Sequence, residues 1–122
     1  MIRVELLRDK GIVIVMPEGK LEASDFDRIA AEVDPFIKAN GRLNGVLLYT
    51  ASFPGWADFA ALVTHIRFVK EHHRSIRRVA AVSDSSFLKI MPAVARHFAA
   101  AEIRHFPFAE KERALAWLEA AQ

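Results

Sequence analysis

The chain has 122 residues, 52% of them hydrophobic and 26% charged, which is enough apolar material for one core and too little charge excess for a disordered chain. Seventeen Lys and Arg against fifteen Asp and Glu leave a formal charge of +2, so polyanion binding is not the first reading despite a pI near 9.2. There is no cysteine, which excludes disulfides, thiolate metal sites and cysteine nucleophiles and suits a reducing compartment.

Residues 2–7 and 12–16 are two runs rich in Val, Ile and Leu, separated by Arg8-Asp9-Lys10-Gly11, whose Asp and Gly suit a tight turn. They predict a hairpin, β1 and β2. Because Met1-Ile2-Arg3-Val4-Glu5 alternates charge with apolar residues, it cannot be the apolar core of a signal peptide. No apolar run approaches the roughly 18 residues needed to span a bilayer. The expectation is a soluble, cytoplasmic domain.

Ser24 precedes Asp25, Phe26 and Asp27, a hydroxyl N-cap followed by acids that oppose the positive end of a helix dipole. Helix α1 is expected from there to Asn40-Gly41, with Phe26, Ile29, Ala30, Val33 and Ile37 on one stripe and a kink or break at Pro35, which removes the bond to the Ala31 carbonyl. Val46-Leu47-Leu48-Tyr49 is apolar on both alternating faces and predicts a central strand, β3. Phe59, Leu62, Val63, Ile66 and Val69 define α2 over 57–72, and 78–82 reads as β4. A third helix, α3, occupies part of 85–99, with Phe87, Met91, Val94 and Phe98 on a stripe and Pro92 bending or opening it. The alternating run 102–106 predicts an edge strand, β5, and Glu110 and Glu112 lead an amphipathic helix, α4, ending near Ala121. The order ββαβαβαβα implies one α/β domain over 1–122 with a mostly parallel, mixed sheet. Leu47, Val79, Val82, Phe98 and Trp117 are expected in its core.

Several phrases, in this order and spacing, carry a family resemblance: Ser24-Asp25-Phe26 with Pro35 later in the same helix, Ser52-Phe53-Pro54-Gly55-Trp56 after β3, Arg78-Val79-Ala80-Ala81-Val82-Ser83-Asp84 on β4, and Ala114-Leu115-Ala116-Trp117-Leu118 near the end. Together they resemble the SpoIIAA-like proteins, a group similar in fold to STAS domains, the anti-sigma-factor antagonists, and more distantly to Sec14-type lipid-binding domains. The resemblance implies a five-stranded mixed sheet with helices packed mainly on one side. In STAS antagonists an Asp-Ser-Ser-Gly-type turn opens the second helix and its serine is the phosphorylation switch. Here that stretch is Phe53-Pro54-Gly55-Trp56-Ala57-Asp58, without a serine, and Asp84-Ser85-Ser86 comes one unit later. Any phosphorylation is therefore expected on Ser52, Ser85 or Ser86.

In sheets of this kind ligands meet the loops at the carboxyl ends of parallel strands. Two such loops are the candidate binding residues: Ser52, Phe53, Gly55, Trp56 and Asp58 after β3, and Asp84, Ser85 and Ser86 after β4. The aromatics could form a stiff apolar contact, or fold under the loop as core; the hydroxyls could hold an anion, or cap a helix. Lys70, His72, His73, Arg74 and Arg77, between Arg67 and Arg78, could face an acidic partner, anionic lipid or nucleic acid, or answer the negative end of a helix dipole, and no aromatic nucleic-acid motif accompanies them. His65 and His72 are two turns apart, and no H-x-x-x-H, H-E-x-x-H, G-x-S-x-G or glycine-rich phosphate loop occurs, so neither metal, cofactor nor catalytic residues are assigned. The leading reading is a non-catalytic binding or regulatory module acting through the β3–α2 and β4–α3 loops on a protein partner, with a homodimer compatible. The alternative is a carrier or sensor of a small apolar or lipid-like ligand with Phe53, Trp56 and Phe59 at its mouth; an enzyme ranks third.

Overall fold

The computed structural model describes residues 2–51, 68, 75–85, 88, 92 and 101–120. β1 (Ile2–Leu7) and β2 (Ile12–Pro17) pair antiparallel, from Ile2 opposite Pro17 to Leu7 opposite Ile12. The turn between them closes where the Lys10 and Gly11 amides both donate to the Leu7 carbonyl. β3 (Leu43–Tyr49), β4 (Ile76–Ser83) and β5 (Glu102–Pro107) then add in parallel, giving the spatial order β1-β2-β3-β4-β5. β3 is central and β5 is an edge, as the apolar patterns predict. β3 and β4 start earlier than those patterns suggest, because Arg42 to Gly45 and Ile76 to Arg78 mix polar and apolar residues.

α1 (Ala23–Asn40) connects β2 to β3, and its start corrects the sequence reading. Ser24 is exposed inside the first turn; Glu22 is the N-cap. The Asp25 carboxylate accepts the Glu22 amide at 2.8 Å while the Glu22 side chain accepts the Asp25 amide, a reciprocal capping box that satisfies two orphan donors. Asp25 is consequently buried without being an unsatisfied charge. The helix is also continuous across Pro35: the carbonyl that loses its partner belongs to exposed Ala31, where water can replace the bond. At its end Gly41 takes φ 89°, a left-handed cap open to few other residues, and donates its amide to Ile37.

Two apolar clusters lie on opposite faces of the sheet. Phe26, Ile29, Val33 and Phe36, spaced three and four apart along α1, bury against Ile2, Val13, Val15 and Val79, and Phe68 joins them with its ring 6.1 Å from that of Phe26. Each such side chain removed from water contributes about 1.5–3 kcal/mol. On the other face Ala114 and Leu118 of α4 (Lys111–Glu119), entered through a short 3-10 turn at Phe108–Glu110, bury against Ile12, Ile14, Leu47, Ala80, Val82 and Phe106. Leu47, Val79 and Val82 are buried as predicted. Trp117 is only half-buried, not in the core as predicted; its ring is covered by the Arg78 guanidinium at 4.7 Å and by Phe106 at 5.7 Å. Phe98 and most of the expected α2 and α3 lie outside the described residues, where Phe68, Leu88 and Pro92 are the described positions and all are helical.

The amino-terminal ends of the parallel strands are tied down by long-range polar contacts. Arg78 donates to the Trp117 carbonyl at 2.7 Å and pairs with Glu102 at 3.3 Å, while Lys10 in the hairpin turn reaches Glu119 at the end of α4 at 2.8 Å. Asn44 donates its side-chain amide to the Lys10 carbonyl and its main-chain amide to Gly11. Arg78 was a member of the basic cluster in the sequence; here it is a cap for the last turn of α4. Arg77 is exposed, and Arg67, Lys70, His72, His73 and Arg74 lie outside the described residues.

Candidate functional site

The opposite end, where β3, β4 and β5 finish, is built differently. The ladder between β3 and β4 continues past the strands: the Thr50 amide donates to the Val82 carbonyl at 3.1 Å and the Asp84 amide to the Ala51 carbonyl at 2.9 Å. Ala51 is the residue before Ser52, so these bonds bring the start of the β3–α2 loop against the start of the β4–α3 loop. The two loops singled out in the sequence thus leave the sheet side by side. Asp84 and Ser85 are exposed there, and Ser85 accepts the Leu88 amide, heading the first turn of the following helix. Ser52, Phe53, Gly55, Trp56, Asp58, Ser86 and also Phe59 lie outside the described residues.

β5 adds a third tie. The His105 imidazole Nε2 lies 3.0 Å from the Ser83 carbonyl and 3.1 Å from the Asp84 carbonyl. Two acceptors at one ring nitrogen require that nitrogen to carry the proton, so His105 is a donor here and clamps the end of β4 to β5. The Ser83 hydroxyl, fully buried, donates to the Asp84 carbonyl instead of to the imidazole. Ser83 and His105 therefore do not form a nucleophile and base pair. Their chemistry is positional.

Beside this clamp the rim turns aromatic. Tyr49, the last residue of β3, stacks on Phe108 with ring centroids 4.8 Å apart and planes within 12°. The Lys111 ammonium sits 4.7 Å from the Tyr49 ring centre, a cation–π contact from the first turn of α4. Phe108 stays 39% exposed although it is large and apolar, and Leu88 is 49% exposed across the same end of the sheet. Rigid aromatic surface left in water beside fixed backbone groups is what recognition uses; it presents contact area at little entropic cost. Tyr49, His105, Phe108 and Lys111 were not singled out in the sequence. The available signal was Pro107-Phe108, a large apolar residue directly after a proline-ended edge strand.

This architecture, a mixed five-stranded sheet whose parallel strands end in one rim and whose amino-terminal hairpin adds an antiparallel edge, defines an α/β domain of the SpoIIAA-like fold. The SpoIIAA-like family matches residues 12–119, and the chain belongs to that family. Among solved structures it is similar to the crystal structure of an uncharacterised protein with a SpoIIAA-like fold from Shewanella loihica, at 21% identity and a TM-score of 0.71 over 97% of this chain and 92% of that one. A comparison with curated proteins finds no match. Among the described residues no helix is long and apolar enough to cross a membrane.

Proposed function

We propose that the chain is a small non-catalytic binding or regulatory module, one domain over residues 1–122, that recognises a protein partner through the carboxyl rim of its sheet. The reading assigns contact roles to Ser52, Phe53, Gly55, Trp56 and Asp58 on the β3–α2 loop and to Asp84, Ser85 and Ser86 on the β4–α3 loop, with Tyr49, Phe108 and Lys111 beside them. The observation that carries it is the bond from the Asp84 amide to the Ala51 carbonyl, which fixes both loop origins next to an exposed Phe108 stacked on partly buried Tyr49. Loop origins already tied to one another lose little freedom on binding.

Native mass spectrometry of freshly purified protein is the first test, because it separates a retained small apolar ligand from a protein partner. A partner found in this way is then titrated against Phe108→Ala and Trp56→Ala. A contact residue at the centre of an interface loses about 2 kcal/mol or more of binding on truncation. Binding unchanged in both variants sinks the rim reading; a lipid-like molecule retained at unit stoichiometry replaces it with the carrier reading.

A further inference from the structure

The other exposed border of the sheet is β1, whose only sheet neighbour among the described residues is β2. Natural edge strands are usually blunted by a bulge, a proline or shortness, since free amides and carbonyls invite another strand. Another such device is edge charge, and β1 carries it only as one cation and one anion, Arg3 and Glu5; otherwise its six residues pair with β2 in unbroken register, and Ile-Arg-Val-Glu-Leu-Leu has no proline or glycine. Its apolar residues Val4 and Leu6 pack against the α1 cluster and remain half-buried, leaving apolar surface at the border. Arg3 and Glu5 are exposed on the other face, where Arg3 also lies 3.5 Å from the Glu18 carboxylate just past β2, a solvent-exposed pair weak enough to be exchanged for another.

That sequence is complementary to itself when reversed. In an antiparallel pair centred on Val4, Ile2 stands opposite Leu6 of the second copy, Arg3 opposite Glu5, and Val4 opposite Val4, with opposed residues on the same face. A twofold axis repeats every contact, so the Arg3–Glu5 pair forms twice. Centring on Arg3 or on Glu5 places like charges on the axis, and centring between residues would oppose side chains that lie on different faces of the sheet. One register satisfies all positions. On the β5 edge the His105 imidazole turns back onto β4.

We propose that β1 is the interface of a twofold-symmetric dimer, in which a second copy of this chain pairs antiparallel through its own β1 about Val4 and the two sheets become one. Because the twofold axis reverses strand direction from one copy to the other, the rims of the two copies face opposite ways, and each stays accessible.

Sedimentation equilibrium on the full chain tests it by charge reversal. Arg3→Glu puts a carboxylate opposite Glu5 of the second copy, Glu5→Arg puts a guanidinium opposite Arg3, and each should raise the dimer Kd on the order of tenfold or more, since two pairs change sign at once. Mixing the two single variants should restore association as a heterodimer, and the double variant Arg3→Glu with Glu5→Arg should restore the homodimer. Thermal melts near that of the unmodified chain establish that both variants fold. A monomer at about 1 mM overturns the proposal, because a weaker Kd leaves no useful interface. So does a dimer that neither reversal weakens, or reversals that mixing fails to rescue.

Discussion

Leu118 occupies the space in which residue 45 would carry a side chain. A Cβ built on Gly45 would lie 2.6 Å from the Leu118 Cδ2 and 3.0 Å from its Cβ and Cγ, so α4 reaches its depth on the sheet because β3 has no side chain there. Gly45 and Leu118 are both buried, and Leu118 is fully so.

Gly45→Ala should therefore push α4 off the sheet and cost about 1–3 kcal/mol in a denaturant titration, as overpacking does. Leu118→Ala alone should cost about 2–5 kcal/mol through the cavity it opens. The double variant should cost clearly less than the two added together, because the new methyl fills part of that cavity. Strict additivity would mean that the helix does not rest on Gly45.

Arg78 joins three groups that no other cation can hold at once: the Trp117 carbonyl, the Glu102 carboxylate and the Trp117 ring. Arg78→Lys should lose about 1–3 kcal/mol of stability, since an ammonium cannot supply the planar fork that stacks and donates together. Trp117 fluorescence should shift to the red as the ring loses its cover. An unchanged emission maximum would contradict the stacked arrangement.

Lys10 supplies a pH dependence with a definite sign. The hydrogen bond that Lys10 donates to the Glu119 carboxylate, and then the charge of that carboxylate, raise the Lys10 ammonium above its ordinary value of 10.5. The folded state therefore binds this proton more tightly than the unfolded chain does. The contribution is complete below the ordinary lysine value and fades as pH rises through the raised one. The difference in melting temperature between the unmodified chain and Lys10→Met should stay level from neutral to mildly alkaline pH and shrink above that range. A difference that shrinks on going from pH 9 to pH 7, by about half or more, would assign the effect to another group.

His105→Ala should loosen the rim without dissolving the sheet. Loss of the clamp leaves the Ser83 and Asp84 carbonyls without that donor, a cost of about 1–3 kcal/mol for groups partly removed from water. Amide exchange at Asp84 and Thr50, whose bonds join the ends of β3 and β4, should accelerate more than exchange at Val13 or Val15 in the hairpin. Equal acceleration everywhere would show a general loss of stability instead of a local clamp.

Features encoded within a few neighbouring residues were legible in the sequence. The five strands, the hairpin turn, the stripe of α1, its glycine stop and the central place of β3 follow from side-chain period and turn chemistry, which act over one element at a time. The family resemblance, carried by the order of short phrases, was legible for the same reason. The tertiary structure alone decided that Glu22, not Ser24, caps α1, since the Glu22 and Asp25 carboxylates each reach the other residue's amide in one geometry that outweighs hydroxyl preference. It alone decided that Gly45 receives Leu118, that Arg78 covers Trp117, and that Tyr49, Phe108 and Lys111 stack beside the joined origins of two loops. Those pairs stand on different elements, and no periodicity within either element records its partner. Their contacts arise only when parallel strands bring distant residues to the same end of one sheet.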